Sequence, residues 1–310
     1  MKNAVTAFAP ASVSNVACGF DIMGFALEQP GDRVTVRATE TPGVRITAVH
    51  PDGNTIPRDP ARNTAGAPVL AMMRDYGGDQ GVEIEISKGL PAGGGIGSSA
   101  ASAVAAAVAC NELLGAGLSN DELLKYAIEG ERIASGAVHV DNLAPCLWGG
   151  FVLVRGYDPI DLVHLRVPAG LWCTVVCPDI EIRTLDARRM LPAAISLKDV
   201  ITQTGNAAGL VAGLLGSDYG LISRCLHDVV AEPVRARLIP GFALLQASAI
   251  RAGALGCSIS GSGPSLFALS TSRDAAGEIG RAMEGVLDDL ELAYKTYVSP
   301  VARSGARLVD

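Results

Sequence analysis

Four glycines fall within the five positions Gly93–Gly97, and two serines, Ser98 and Ser99, follow them. Glycines in succession let backbone N–H groups turn inward and approach a ligand closely. An alanine-rich stretch begins directly afterwards, and the start of a helix presents free N–H groups and the positive end of its dipole. The pattern is that of a phosphate cradle, in which the serines cap the helix, bind phosphate or donate to a metal ion. No lysine follows the last glycine, so this is not a Walker A loop, and a dinucleotide fingerprint does not fit. A plain flexible turn would not need so many glycines.

Other polar clusters are less telling alone. Asn15 and Asp21 sit among small residues between Pro10 and Gly24. They could bind a hydroxyl and an ammonium group, but turn chemistry explains both. His139-Val140-Asp141-Asn142 reads equally as a pocket wall or a capped turn. Glu131 is by spacing a solvated helix residue. Thr184 with Arg188, and Glu232 with Arg235, place a guanidinium near an element end. Arginine holds a carboxylate by a two-pronged fork, although a surface arginine is the plainer reading. Ser258–Pro264 is a second glycine-rich turn around Gly261.

The elements that must position these groups follow from periodicity. Asp32–Ala38, Gly43–Val49 and Val82–Lys88 alternate apolar and polar residues and read as strands. Pro51–Asp59 reads as a loop and Ala61–Tyr76 as a helix. The alanine-rich helix runs to about Leu114, where Gly115 stops it. A capping box at Ser119–Glu122 opens another helix, ending near Ser135-Gly136. Phe151–Arg155 and Leu171–Cys177 read as strands. Helices are expected at Ser196–Leu215, Leu221–Val230, Phe242–Ala252 and Arg273–Asp289, with extended segments Ile259–Gly263 and Leu266–Ser270 flanking the second glycine turn. A soft boundary near Val167–Gly170 divides the chain into residues 1–168 and 169–310.

Composition sets the outer bounds. With 310 residues and 49% hydrophobic side chains, the chain can bury a substantial core. Its 25 basic and 32 acidic residues give a net charge of −7, which argues against non-specific nucleic-acid binding. An anionic ligand must therefore be held by a local device. Seven cysteines include no C-x-x-C pair, so zinc is not expected and free buried thiols in a reducing compartment are. The opening MKNAVTAFAP lacks an apolar leader core, and no apolar run is long enough to span a membrane. A soluble, cytoplasmic protein is the expectation.

Taken together, the motifs form one constellation. Pro91, Gly95-Ile96-Gly97-Ser98-Ser99 and Ala100-Ala101 resemble the phosphate loop of the galacto-, homoserine-, mevalonate- and phosphomevalonate (GHMP) kinase superfamily. The opening motif from Pro10 to Gly24, the knot from His139 to Phe151, Thr184–Pro192, Glu232–Phe242 and Ser260–Ser265 resemble its homoserine kinase branch, in family order along nearly the whole chain. Ala17-Cys18-Gly19 stands where many members read Gly-Pro-Gly, and Ile96 where leucine is commoner.

The resemblance implies an α+β, two-domain fold: an N-terminal ribosomal-protein-S5-like ATP-binding unit and a C-terminal ferredoxin-like unit. It implies phosphorylation of the L-homoserine hydroxyl by ATP, with Mg²⁺ as cofactor, and it allows a homodimer. Asn63, Pro91, Gly93, Gly94, Gly95, Ile96, Gly97, Ser98, Ser99 and Ala100 would bind ATP. Ser99 and Glu131 would hold the metal. Arg188 and Arg235 suit the substrate carboxylate and Asp21 its ammonium. Asn15, His139, Asn142 and Thr184 would shape the hydroxyl end, with Gly261 closing the pocket. Superfamily relatives often pair an aspartate base with a lysine. Here the first motif has no lysine and Asn142 stands in place of the aspartate, which implies catalysis centred on Asn142, His139 and Asn15 without a protein base; His139 and Asp141 remain rival bases.

Overall fold

A computed structural model of the chain describes residues 3–51, 56–135 and 138–309. Asp52–Thr55 of the expected loop and Gly136 at the expected helix end lie outside them. The first half is built on one sheet: β1 (Ala4–Ser14), β2 (Met23–Thr39), β3 (Gly43–His50), β4 (Gly81–Ser87), β5 (Phe151–Tyr157) and β6 (Ile160–Leu165). A short strand, Arg307–Val309, also joins this sheet, pairing antiparallel with β1. The order is Arg307–Val309, β1, β2, β4, β3, and β5 branches from β2 and carries β6. Among the described strand pairs, β3 and β4 alone run parallel. β2 pairs with β1 along one edge and shares its other edge between two strands: Met23–Phe25 pairs with β5, and Arg33–Thr39 with β4.

Helices α1 (Gly66–Tyr76), α2 (Ser98–Leu114), α3 (Asn120–Ser135) and α4 (Val140–Trp148) accompany this sheet. α2 lies on β1 and β2, and Ala100, Ala101 and Ala103–Ala107 are fully buried. Small side chains permit that close approach, and alanine also favours the helix. Gly115 ends α2 in the left-handed conformation, its N–H reaching the carbonyls of Asn111 and Glu112. The capping box forms as expected, with Ser119 N–H donating to Glu122 Oε2 at 2.9 Å.

The second half contains β7 (Trp172–Pro178), α5 (Thr184–Arg189), α6 (Leu197–Gly216), α7 (Tyr219–Cys225), α8 (Glu232–Arg235), α9 (Phe242–Arg251), β8 (Gly256–Ile259), β9 (Leu266–Ser270), α10 (Arg273–Asp289) and β10 (Tyr294–Pro300). The Arg307–Val309 strand is then β11. Four strands form an antiparallel sheet in the order β10-β7-β9-β8. α9 and α10 cover one face through Leu245, Ile279, Met283 and Leu287. The other face, with Val175, Phe267 and Leu269, merges into the core of the first half. Phe25 packs on Phe151 at 4.7 Å and on Phe267 at 6.0 Å, so the seam is a continuous apolar contact. The boundary near 168 falls between β6 and β7, and β11 recrosses it.

Several expectations differ from the structure, among them the extended segment Ile259–Gly263, where β8 already ends at Ile259 and Ser260–Gly263 forms the turn, closed by Gly263 N–H donating to Ser260 O. The helix over Ala61–Tyr76 opens as a single tight turn, Pro60–Arg62, and α1 starts at Gly66. Asn63 makes the break: its Oδ1 accepts from the N–H groups of Ala65 and Gly66. The helix over Leu221–Val230 ends at Cys225, because the Asp228 carboxylate takes the N–H groups of Val230, Ala231 and Glu232 and starts α8 instead. α4 was not anticipated, since Pro145 lies inside it. The carbonyl freed by Pro145 is that of Asp141. Gly24 accommodates it: a Cβ there would stand 1.8 Å from the oxygen.

Candidate active site

A cavity of about 460 Å³ opens between the two halves, and most of the residues singled out above line it. Its floor is the glycine loop. Gly93, Gly95 and Gly97 have φ values of +70°, +76° and +68°, an alternation that aims backbone N–H groups toward one side. Gly97 is the N-cap of α2 and offers no side chain to the first-turn N–H groups, which face the cavity end of the helix dipole. The loop is held from behind by the second glycine turn. Ser260 Oγ donates to Gly95 O at 2.7 Å, and Ser265 Oγ to Gly94 O. A Cβ on Gly95 would stand 2.6 Å from Gly263 O.

Below the loop lies an ion pair that sequence reasoning missed. Lys88 follows β4 and its ammonium contacts the fully buried Asp32 carboxylate, Ser102 Oγ and Ser98 O. Asp32 also accepts from Ser102 and from the N–H groups of Gly89 and Leu90. The network ties the entry of the glycine loop to the first turns of α2. The available signal was a lone lysine directly before the loop, in phase with the inward-facing Val82, Ile84 and Ile86.

Ser99 and Glu131 meet at the cavity wall. Ser99 Oγ donates to Glu131 Oε2 at 2.9 Å, and His139 Nδ1 lies 3.0 Å from Glu131 Oε1. Glu131 is only 4% exposed, so the solvated reading of this helix residue is excluded. Two hard oxygens beside a phosphate-type loop suit a divalent cation that completes its shell with phosphate and water. Burial pulls the His139 imidazole down, but its hydrogen bond and charge contact with Glu131, helped by Asp141 and Asp21, outweigh this and raise it above its ordinary value.

The opposite end gathers the zwitterion-sized groups. Asn15, Val16 and Ala17 all have positive φ (69°, 42° and 57°), as does Asp21 (58°). Such a run of non-glycine residues is sterically costly and marks a loop shaped for a site. Asn15 Nδ2 donates to Gly261 O at 2.8 Å, and its Oδ1 accepts from Asp21 N–H at 3.0 Å. Arg188 Nη2 contacts Asp21 Oδ2 at 2.6 Å. Arg235, only 4% exposed, donates to Gly261 O at 3.0 Å. The Phe20 ring lies 5.9 Å from the Arg188 guanidinium and 5.0 Å from that of Arg235, within reach of a cation–π attraction. Burial lowers Arg235 from its ordinary range, with Asp21 pulling the other way. Thr184 Oγ1 faces Ser262 Oγ at 3.4 Å.

Asn142 and Asp141 join the two ends. Ser12 Oγ donates to Asn142 Oδ1 at 2.9 Å, fixing the amide with its nitrogen turned to donate elsewhere. Asp141 is 1% exposed, and its Oδ1 has no hydrogen-bond partner among the described residues. Burial pushes its carboxyl up to about 7, with His139 opposing.

Four of the named residues stand apart. Pro91, Ile96 and Ala100 do not line the cavity: Ile96 and Ala100 are fully buried, and Ile96 O instead accepts from Ser12 N–H. Asn63 lines it, yet its side chain is engaged locally with Pro57 O, Ala65 and Gly66.

Residues 63–150 match the GHMP kinases N terminal domain, and residues 206–289 match the GHMP kinases C terminal family. A homoserine kinase of Chlorobium phaeobacteroides (strain BS1) is 48% identical over 318 residues, spanning 98% of this chain and 99% of that protein. The chain belongs to the homoserine kinase family of the GHMP kinases. A second member, from Chlorobaculum tepidum, is 46% identical over 99% of this chain and 98% of its own length. The crystal structure of homoserine kinase from Cytophaga hutchinsonii superposes with a TM-score of 0.96 at 50% identity, covering 100% of this chain and 98% of that one. The two sheets described above are therefore the two-domain GHMP kinase fold.

Proposed function

We propose that this GHMP kinase transfers the γ-phosphoryl group of ATP to the side-chain hydroxyl of L-homoserine, giving O-phospho-L-homoserine and ADP for threonine biosynthesis. One observation carries the reading. The glycine loop, the Ser99–Glu131 pair and an Asp21–Arg188–Arg235 cluster line a single cavity. That set matches a polyphosphate, a divalent cation and an α-amino acid.

The roles follow from position. Gly93–Ser99 wraps the triphosphate. Ser99 and Glu131 would hold Mg²⁺, which when bound would neutralise phosphate charge. Arg188 and Arg235 receive the carboxylate, and Asp21 exchanges its contact with Arg188 for the substrate ammonium. Asn142, with His139, Asn15 and Thr184, orients the hydroxyl. The hydroxyl oxygen bonds to the γ-phosphorus as the bond to the bridging oxygen breaks, and the hydroxyl proton passes to a phosphate oxygen. Positioning and charge stabilisation then provide the catalysis.

The same reading assigns residues 1–168 to an ATP-binding unit and 169–310 to a second unit, with β11 returned to the first sheet. It sets the enzyme in the cytoplasm, supported by seven free, buried cysteines. No helix among the described residues is long and apolar enough to cross a membrane. A coupled ADP-release assay with homoserine, with and without Mg²⁺, tests the function. Turnover that needs both supports it; turnover of another hydroxyl substrate in its place overturns the substrate.

A further inference from the structure

Gln203 lies on α6, outside the cavity, and is half-buried. Its amide is fully engaged. Nε2 donates to Cys18 O and to Asp228 Oδ1, each at 3.0 Å, and Oε1 accepts from Val229 N–H at 3.0 Å. Turning the amide over would set its oxygen against two acceptors, so the orientation is fixed.

Each contact leads to a substrate-side group. Cys18 belongs to the loop that carries Asn15 and Asp21. That loop holds three consecutive residues in the left-handed region, a conformation that persists only where its surroundings enforce it. Asp228 is buried and takes the N–H groups of Val230, Ala231 and Glu232. It thereby starts α8, which ends at Arg235. The loop and Arg235 meet again at Gly261 O, which accepts from both Asn15 and Arg235. Gln203 closes this ring from the far side.

Resting on the homoserine reading above, we propose that Gln203 is a positioning residue. It sets the spacing between the ammonium-side loop and the carboxylate-side Arg235, and so tunes affinity for an α-amino acid without touching it. Asn206 supplies the contrast. It lies one turn further along α6 and donates to His227 O at 3.0 Å, anchoring the same connection without reaching the loop.

The test uses the full chain and four proteins: wild type, Gln203→Met, Gln203→Ala and Asn206→Ala. Methionine keeps the length of the side chain and removes its hydrogen bonds; alanine removes the head at a position where the helix tolerates it. Misplaced binding groups affect the substrate they hold, so KM for homoserine is expected to rise about tenfold in both Gln203 variants. KM for ATP and kcat at saturating homoserine stay near wild type, as do all constants of Asn206→Ala. An unchanged homoserine KM in a folded Gln203 variant overturns the proposal. So does a parallel rise in both KM values, or an equal effect of Asn206→Ala. If one Gln203 variant does not fold, the other decides. Wild-type turnover of homoserine tests the underlying function separately. If wild type prefers another amino-acid alcohol, the comparison is made with that substrate; a preference for an alcohol lacking the zwitterion overturns the proposal.

Discussion

Ser99 donates its hydroxyl to Glu131 across 2.9 Å, joining the first turn of α2 to the final turns of α3. The pair lies where the glycine loop meets the cavity, and Glu131 is held on its other oxygen by His139. Glu131→Gln keeps the shape and removes the charge. We expect kcat to fall by roughly 10²–10³ with homoserine KM nearly unchanged, since only charge stabilisation at the phosphate is lost. A Mg²⁺ titration of the variant should show a higher half-saturating concentration. Wild-type Mg²⁺ dependence in Glu131→Gln would remove this residue from the metal site.

Arg235 is the more deeply placed of the two arginines, 4% exposed against a half-open Arg188. Lysine cannot reproduce a two-pronged contact with a carboxylate. Arg235→Lys should raise homoserine KM about 10- to 100-fold, the loss of a charge-assisted hydrogen bond, and leave ATP KM alone. Steady-state kinetics with each substrate varied in turn checks this.

Whether a protein base acts is decided at His139 and Asp141. If the proton passes to phosphate, His139→Ala and Asp141→Asn lower kcat by no more than about 10²-fold, within the range of lost orientation. A loss of several orders with intact homoserine affinity, measured by equilibrium binding, would instead establish a base.

Asp141 also makes a prediction about stability. Its carboxyl is pushed up to about 7 by burial, above its unfolded value, so the folded state holds this proton more tightly. Such a group contributes stability at low pH that is lost as pH rises through the folded pKa. The difference in Tm between wild type and Asp141→Asn should therefore shift against wild type from about pH 4 to about pH 7, then level off. A difference independent of pH would contradict the assignment.

The buried pair of Lys88 and Asp32 gives a fifth test. Lys88→Met leaves Asp32 inside the protein without its cation, and breaking such a pair costs about 3–5 kcal/mol. Adding Asp32→Asn to that variant should recover part of the loss in urea unfolding, because the uncompensated charge is then gone.

Most of the chain's architecture was legible because local signals agree with it. The alanine run, Gly115 and the Ser119–Glu122 box define α2 and α3 by propensity and capping alone, and Arg273–Asp289 matches α10. What stayed hidden depends on distant contacts. α4 required Gly24 to receive a carbonyl freed by Pro145. The break before α8 is the local exception: Asp228 takes N–H groups two to four residues ahead, in a stretch whose apolar pattern reads as continuous helix. β1 consists largely of alanine, serine and proline, which carry no strand pattern, and is fixed by its neighbours. For the site, the glycine loop announced itself, whereas Glu131, Arg188 and Arg235 each read as ordinary surface residues until the resemblance joined them. Lys88 was missed because its partner, Asp32, is far away in sequence.

β11 has a bearing on how the protein is made. Thr6 pairs with Val309, so the outer edge of the first sheet is completed only by residues synthesised long after β1 itself. While the ribosome extends the second half, β1 presents an open edge, the kind of surface on which strands of neighbouring chains can dock. The window of exposure lasts for the translation of everything between the two strands. Slow elongation or crowded polysomes should thus favour aggregation of nascent chains through this edge.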